Sequence, residues 1–412
     1  MTQKQTAGSP SRGRLRDSMS ILGIMDYRLL LVGNAMTFAG FQVRQMAQAW
    51  LVLDQTESSL YAGIVNAMPG IAIIALSLYA GTVSDRRERW RIVLGARFVI
   101  TSMMIVSAVL VTTGVIQWWH LMPIGLVMGA AFAFHNPASQ TYAMDIVGRE
   151  KLLNAASLNT AISNIANIAA PVLGGYLIAL GIEWAFWLLV VLYGTSFLAI
   201  IPSSTRGHPG AVSRSIVADM RAGLKYAVDT PAIRWLLILG MGSLFGGIAL
   251  AMIPLFARTV FNVGSTGYGQ MLLAQGLGAL IGSAVLTATG GVRRKGPFII
   301  GTSILSATAL GLCAVSPWYW MALVFLFVNG LAQGVTFIMV PTTIQTHAAP
   351  EMRGRVIGIF FMVVLVFQLG WIVGGVLDST LGTRQTMLAA SFGTVLLALT
   401  ALWRSSALRR LT

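Results

Sequence analysis

Arg44 sits in the segment GFQVRQMAQAW (residues 40–50), inside a run that is otherwise largely apolar. A guanidinium about ten residues from the end of such a run lies roughly 15 Å deep if the run is helical. Ionisable groups at that depth face a bundle interior or a water-filled cavity and mark substrate, counter-ion or gating chemistry. The alternative for Arg44 is a structural pair with a carbonyl or polar side chain of a neighbouring helix. Gln45 and Gln48 lie on overlapping turns and can share its face. His135 and Asn136 precede Pro137 in a later apolar run. An imidazole titrates near neutrality, so His135 suits proton-linked or substrate-contacting chemistry, or is a satisfied structural group. Asn159, Ser163 and Asn167 recur at spacing four, and Asn329, Gln333 and Thr336 at similar spacing. Both sets read as cavity lining or as polar glue between helices. Met128, Phe132, Met241, Phe245, Met252 and Phe337 supply flexible thioethers and aromatic faces suited to varied apolar ligands, or ordinary packing. Arg97, a turn or two inside its run, is expected to snorkel out to water.

The elements that hold these residues follow from composition. Of 412 residues, 56% are hydrophobic and 10% charged, and mean hydropathy is +0.76. A soluble domain carries about 25% charged residues, so this chain lacks the polar surface a soluble fold needs. Runs long enough for a membrane helix of about 20 residues fall at 29–53, 60–83, 93–115, 118–141, 156–180, 184–202, 234–257, 267–289, 297–315, 318–344, 355–378 and 385–403. Twelve spans place both ends of the chain on one side. Of the 28 lysines and arginines, all but Arg44, Arg97, Arg258 and Arg384 then lie on that side. Positive charge collects on the cytoplasmic side, so the termini are expected there, with residues 1–25 as a retained cytoplasmic tail. The net charge of +15 thus serves topology and anionic inner-leaflet lipid rather than nucleic acid.

Three segments are expected: a six-helix bundle over 1–202, a linker over 203–233 and a second six-helix bundle over 234–412. In the linker, Ile216, Val217, Met220, Leu224 and Val228 share one helical face, which predicts a short helix on the inner membrane surface. The halves echo each other at an offset near 200: APVLGG at 170–175 answers GWIVGG at 370–375, and Pro137 answers Pro341. Parallel repeats of this kind place a substrate site between halves near the midplane. No carboxylate falls there: Asp54, Glu57, Glu183 and Asp378 lie toward the outside, and Asp26, Asp85 and Asp145 toward the inside. Asp378, Asp145 and His135 remain as routes for proton coupling. The single Cys313 excludes an internal disulfide. No metal, cofactor or enzymatic activity is expected: histidines are few and scattered, and no phosphate-binding G-x-x-x-x-G-K-[ST] loop, H-E-x-x-H or G-x-S-x-G occurs.

GTVSDRRER, residues 81–89, is similar to the signature between the second and third helices of the major facilitator superfamily. Gly81, Asp85, Arg86 and Arg89 match it, and Glu88 replaces a glycine. APVLGG resembles that superfamily's helix-5 antiporter signature through Pro171, Gly174 and Gly175, with Ala170 in place of a further glycine. Longer stretches, such as NPASQTYAMDIVGREKLLNAASL, look like the bacterial branch containing enterobactin and macrolide exporters. The resemblance implies an all-α membrane protein of twelve helices in two pseudo-symmetric bundles, acting as a monomer. It implies secondary export of a hydrophobic or amphiphilic small molecule, by alternating access and proton antiport. It also implies a lock in which Asp85, with Gly81, Arg86, Arg89 and Arg353, meets the inner end of the eleventh span when the protein is open outward, through the partial positive charge of a helix N-terminus. A lysophospholipid transporter of the same fold and a non-transporting receptor or scaffold are the alternatives.

Overall fold

The computed structural model describes residues 21–148, 151–207, 216–289, 292, 294–409 and 411; the side chains of residues 78, 82, 85, 153, 167 and 216–219 lie outside that description. The first bundle is built from α1 (Met25–Thr56), α2 (Ser59–Arg86), α3 (Arg89–Thr112), α4 (Leu121–Val147), α5 (Leu152–Leu180) and α6 (Ile182–Ile200). The linker helix α7 spans Ile216–Asp229. The second bundle comprises α8 (Pro231–Val260), α9 (Gly264–Ala288), α10 (Lys295–Val315), α11 (Tyr319–His347), α12 (Arg353–Leu381) and α13 (Thr383–Arg404), followed by the short α14 (Ser406–Arg409). Among the described residues, eleven helices are long and apolar enough to cross a bilayer. The remaining one of the twelve expected, α1, is 32 residues long, but Asn34, Gln42, Arg44, Gln45 and Gln48 lower its hydropathy. Its polarity is turned inward, because Arg44, Gln45 and Gln48 are all buried.

Two of the spans are broken, which the uninterrupted apolar runs did not predict. α8 stops at Met241, restarts at Ser243 and ends in a π-helical turn over Phe256–Val260. α12 breaks between Val364 and Phe367. The breaks face each other. Ser243 Oγ donates to the carbonyl of Val364 at 3.3 Å, a group the break frees from the helix ladder. A side chain at Gly247 would run into the Phe367 carbonyl, and one at Gly370 into that of Leu244.

The bundles meet through two crossings, α2 with α12 and α5 with α9. Lipid tails are as apolar as leucine, so helices in a membrane associate by close packing of small residues rather than by a hydrophobic drive. Gly63 lies against the Trp371 backbone and Gly70 against the Gln368 stem. A Cβ on Gly375 would sit 2.6 Å from the Ser59 carbonyl, and one on Gly269 would sit 2.7 Å from that of Pro171. Hydrogen bonds follow the same contacts: Ser265 Oγ donates to Gly175 O at 3.1 Å, and Ser59 Oγ to Gly375 O at 3.4 Å.

All of these contacts lie toward one end, called here the far end. There one apolar core runs through both bundles, joining Val43, Met46 and Val52 to Ile253, Phe256 and Tyr268. At the opposite, arginine-rich basic end the cores are separate. Leu30, Val93, Tyr142 and Ile200 belong to the first bundle, and Ile233, Ile299, Ile344 and Val356 to the second. A Cβ built at Gly81, Gly354 or Gly358 meets nothing within 4 Å. The molecule is sealed at the far end and splayed at the basic end.

Gly63→Val forces a branched side chain into the Trp371 backbone, and overpacking of this kind costs about 1–3 kcal/mol. We expect a lower unfolding temperature in detergent and faster maleimide labelling of a cysteine placed at Ser59, which is buried in the same crossing; unchanged labelling would show that the crossing does not hold the seal.

Candidate functional site

A cavity of about 280 Å³ opens between the bundles at the level of the two helix breaks. α1 contributes Phe41, Gln42, Gln45 and Met46, and α5 contributes Asn164. α8 adds Gly246 and Leu250, and α9 adds Tyr268, Leu272, Gln275, Gly276, Ala279 and Leu280. Gln333 of α11 and Phe367 of α12 complete the wall. The broken spans therefore place Gly246 and Phe367 at the lining. Five amides and one phenol supply the polar groups, and Phe41, Met46, Leu250, Leu272 and Phe367 the apolar surface. Apolar walls with a few placed polar groups are the usual makeup of a small-molecule site.

The supports of the wall are specific. Gln275 Nε2 donates to Asn329 Oδ1 at 2.9 Å, and Asn329 Nδ2 donates to the backbone and hydroxyl oxygens of Ser306 at 3.0 and 2.8 Å. Asn329 is thus a brace joining α9, α10 and α11, while Gln333, one turn on, lines the cavity. Tyr268 stacks on Trp50 across the two bundles, ring centroids 6.4 Å apart.

Arg44 is 2% exposed and does not line the cavity. It faces into the first bundle with Gln48, to whose Oε1 its Nη1 donates at 2.5 Å, whereas Gln45 turns to the cavity. The guanidinium lies 5.2 Å from the centroid of the Phe41 ring. Tyr193 packs on Gly40 and its hydroxyl interacts with the Arg44 guanidinium, while Gln48 Nε2 has no hydrogen-bond partner among the described residues.

A second buried cation, from α3, packs against α1 at Gly33 and Asn34. Arg97, expected to snorkel, is 2% exposed. Its Nη1 donates to Ser196 O and its Nη2 to Asn34 Oδ1, both at 2.8 Å, and its Nε to His135 Nε2 at 3.3 Å. Gly33 leaves room for the guanidinium. Three acceptors inside the bundle outcompete water for this short-reached arginine. His135 is therefore an acceptor held by a cation and is 4% exposed, with the neighbouring Asn136 exposed. Asn159, on the expected stripe, receives a hydrogen bond from Asn34 at 3.1 Å, while the Asn167 side chain lies outside the described residues.

The methionines and phenylalanines expected at the cavity are elsewhere. Met128, Phe132 and Met252 are buried in the shared core, Phe245 packs on Gly393, and Met241 and Phe337 are 52% and 58% exposed without lining the cavity. Of the helix-5 motif, Ala170 is in the core. Gly174 fits against Val43 and Met46, and Pro171 and Gly175 form the crossing with α9. Asp378 accepts from Thr383 Oγ1 at 2.8 Å at the far end.

At the basic end, Arg89 pairs with Asp145 at 2.6 Å within the first bundle. Arg353 Nε donates to Ala348 O at 3.2 Å within the second. Arg86 is exposed, and the Asp85 side chain lies outside the described residues. The structure does not bring Arg89 and Arg353 together. Sequence reasoning missed a polar strap here. Asp26 accepts from the backbone N–H and hydroxyl groups of both Ser204 and Thr205, at 2.6–3.1 Å. Tyr142 donates to Thr205 O at 2.7 Å, and Arg206 lies over the Trp90 ring at 3.9 Å. Burial alone would raise the Asp26 pKa, but the hydrogen bonds from Thr205 and Ser204 outweigh it and hold the carboxyl at about 2.

A family model described as "Transmembrane secretion effector" matches residues 18–411. The chain belongs to this family of major facilitator transporters. The multidrug efflux pump Tap of Mycobacterium tuberculosis (strain ATCC 25618 / H37Rv) is 28% identical over 403 residues, covering 93% of this chain and 94% of that protein. The enterobactin exporter EntS of Salmonella typhimurium is 24% identical over 366 residues, covering 86% of each. Among solved structures, a bacterial homologue of the human lysosomal transporter Spinster aligns with a TM-score of 0.72 at 13% identity, covering 98% of each chain. The nucleoside transporter NupG aligns with a TM-score of 0.66 at 15% identity, covering 92% of this chain and 99% of that one. Both are likenesses of fold.

Two outcomes test the site. Because the folded Asp26 pKa lies below the ordinary carboxylate value of about 3.9, its stabilisation of the strap is complete above about pH 4. It is lost as pH falls toward 2. Asp26→Asn should raise trypsin cleavage at Arg206 at pH 7 at least to the level seen when wild type is acidified. Arg97→Leu removes the hydrogen bonds to Asn34, His135 and the Ser196 carbonyl that tie α3 to α1, α4 and α6 and should lower folded yield, whereas Arg44→Ala should keep folded yield and reduce transport; joint loss of both in Arg44→Ala would make that residue structural.

Proposed function

We propose that this transporter is a secondary exporter of hydrophobic or amphiphilic small molecules, working by alternating access between the bundles of residues 1–202 and 234–412. The observation that carries the reading is the amide- and aromatic-lined cavity between bundles closed at the far end and splayed at the basic one. Concentration of lysine and arginine at the basic end supports placing that end, and both termini, in the cytoplasm of a bacterial inner membrane. On that placement the cavity faces the cytoplasm, the side from which an exporter loads. Relatives named as a multidrug efflux pump and an enterobactin exporter support drug- or siderophore-like cargo.

To deliver cargo outward, the far-end crossings must part and the basic ends close. The open space at Gly81 and Gly354 is room for α2 and α12 to approach. In the closed arrangement Asp85 meets the N-terminus of α12, where its charge is stabilised, and Arg86, Arg89 and Arg353 surround it. Proton antiport is the proposed energy source, with Asp145, His135 and Asp378 as the carriers to be separated by mutation.

The test is uptake of a radiolabelled siderophore of the enterobactin type by inside-out vesicles, with and without an imposed pH gradient. We expect gradient-dependent accumulation; accumulation indifferent to the gradient removes proton coupling, and none above vesicles lacking the protein removes export of that cargo class. Asp85→Asn should shift the equilibrium toward the splayed state and increase maleimide labelling of a cysteine at Gly354 several-fold. Equal labelling would dismiss the lock.

A further inference from the structure

The cavity wall is neutral, and a cation stands behind it. Its polar groups are the amides of Gln42, Gln45, Asn164, Gln275 and Gln333 and the Tyr268 hydroxyl, with no carboxylate among the described lining residues. Multidrug sites that hold organic cations offer them acid groups or open aromatic faces. Here the aromatic face of Phe41 is already engaged by Arg44, 5.2 Å from its centroid. That guanidinium is 2% exposed, its polar neighbours Gln48 and Tyr193 are neutral, and among the described residues it forms no ion pair. Its field therefore reaches the lining uncompensated, in a setting where burial makes charges act strongly on one another. Of the other two aromatics at the wall, Tyr268 has a face stacked on Trp50, and Phe367 lies beside Gly246, so Phe367 alone is no aromatic cage.

From this we infer that the site selects against organic cations and takes uncharged or anionic amphiphiles rich in hydrogen-bonding oxygen and nitrogen. The inference rests on the reading of this cavity as the substrate site. Amides both donate and accept, so they satisfy hydroxyl, carbonyl and carboxylate groups alike. Positive charge on the ligand meets repulsion from Arg44 with no carboxylate among the described lining residues to offset it. A desolvated charge without a partner is disfavoured, so cations remain in the water of the open end.

The test uses a dansyl series of equal length, ending in a methyl ether, a carboxylate or a trimethylammonium group, titrated by fluorescence against the full chain in an uncharged maltoside detergent at pH 7. The ether and carboxylate probes should bind at least about ten-fold tighter than the trimethylammonium probe, a difference of roughly 1.4 kcal/mol. The relative strength of ether and carboxylate separates a merely neutral preference from an anionic one. Gln333 is exposed to the cavity, and Gln333→Glu should tighten trimethylammonium binding about ten-fold while weakening the carboxylate probe. Leu250→Trp fills the cavity and should abolish binding of all three. If Leu250→Trp leaves binding intact, or no probe binds saturably to the wild type, the cavity is not the site. If it abolishes binding but the wild type takes the cation equally well, or Gln333→Glu changes nothing, the charge selection is overturned while the site stands.

Discussion

The structure depends on how closely two pairs of helices approach at one end. α2 against α12 and α5 against α9 meet at glycines, where backbone touches backbone. In lipid, this is the contact that can hold helices together, because exposed apolar side chains gain nothing by leaving the hydrocarbon. The same smooth contact lacks deep interlocking side chains, so it can separate and re-form. Everything at the midplane follows from it. With the far end pinned, the breaks in α8 and α12 fall opposite one another, and the cavity lies just beneath the shared core.

The two bundles are not equivalent in chemistry. The first contains two arginines buried at membrane depth, and among the described residues neither pairs with a carboxylate. Arg97 is fully engaged by three neutral acceptors, so its desolvation is offset by hydrogen bonds and it organises α1, α3, α4 and α6 around one point. Arg44 is held differently: Gln48 Oε1 takes one donor, the Tyr193 hydroxyl and the Phe41 ring lie beside the guanidinium, and the cluster stands behind the cavity wall rather than in it. Gln48 Nε2 has no partner among the described residues, and an unsatisfied buried donor costs about 1–3 kcal/mol. The second bundle, by contrast, supplies neutral braces such as Asn329 and a wall of small and apolar residues.

Much of this was legible in the sequence because membrane constraints are written in long runs. Span number, the paired glycine motifs of α5 and α12 and the depth of Arg44 all follow from counting. What composition hides is direction around a helix axis. Gln45 and Arg44 are adjacent, yet one faces the cavity and the other the bundle interior, and no pattern of apolar residues in a helix buried on most sides distinguishes them. Arg97 was misjudged because distance from a helix end measures access to water but not the competing acceptors, which come from Asn34, His135 and Ser196 on three other helices. Gln275 is an amide in an apolar run, the kind of signal that singles out Gln333, whereas Gln42 sits beside Arg44, Gln45 and Gln48, whose charge and spacing draw attention from it. The breaks in α8 and α12 arise from contacts between helices and leave only a faint trace in the glycines near 240–242.

The strap at Asp26 fixes one end of the central connection to the first bundle, through Ser204, Thr205 and Arg206. The other end is fixed to the second: Gly223 of α7 packs against Arg355 and Ile359, and the Tyr226 hydroxyl accepts from the Ala349 N–H at 3.0 Å. Between Gly207 and Ile216 there are nine peptide steps, which reach at most about 30 Å when fully drawn out. The two anchors can therefore part only as far as that contour allows. This caps how wide the mouth at the basic end can gape, and so bounds the girth of any cargo that enters by that route.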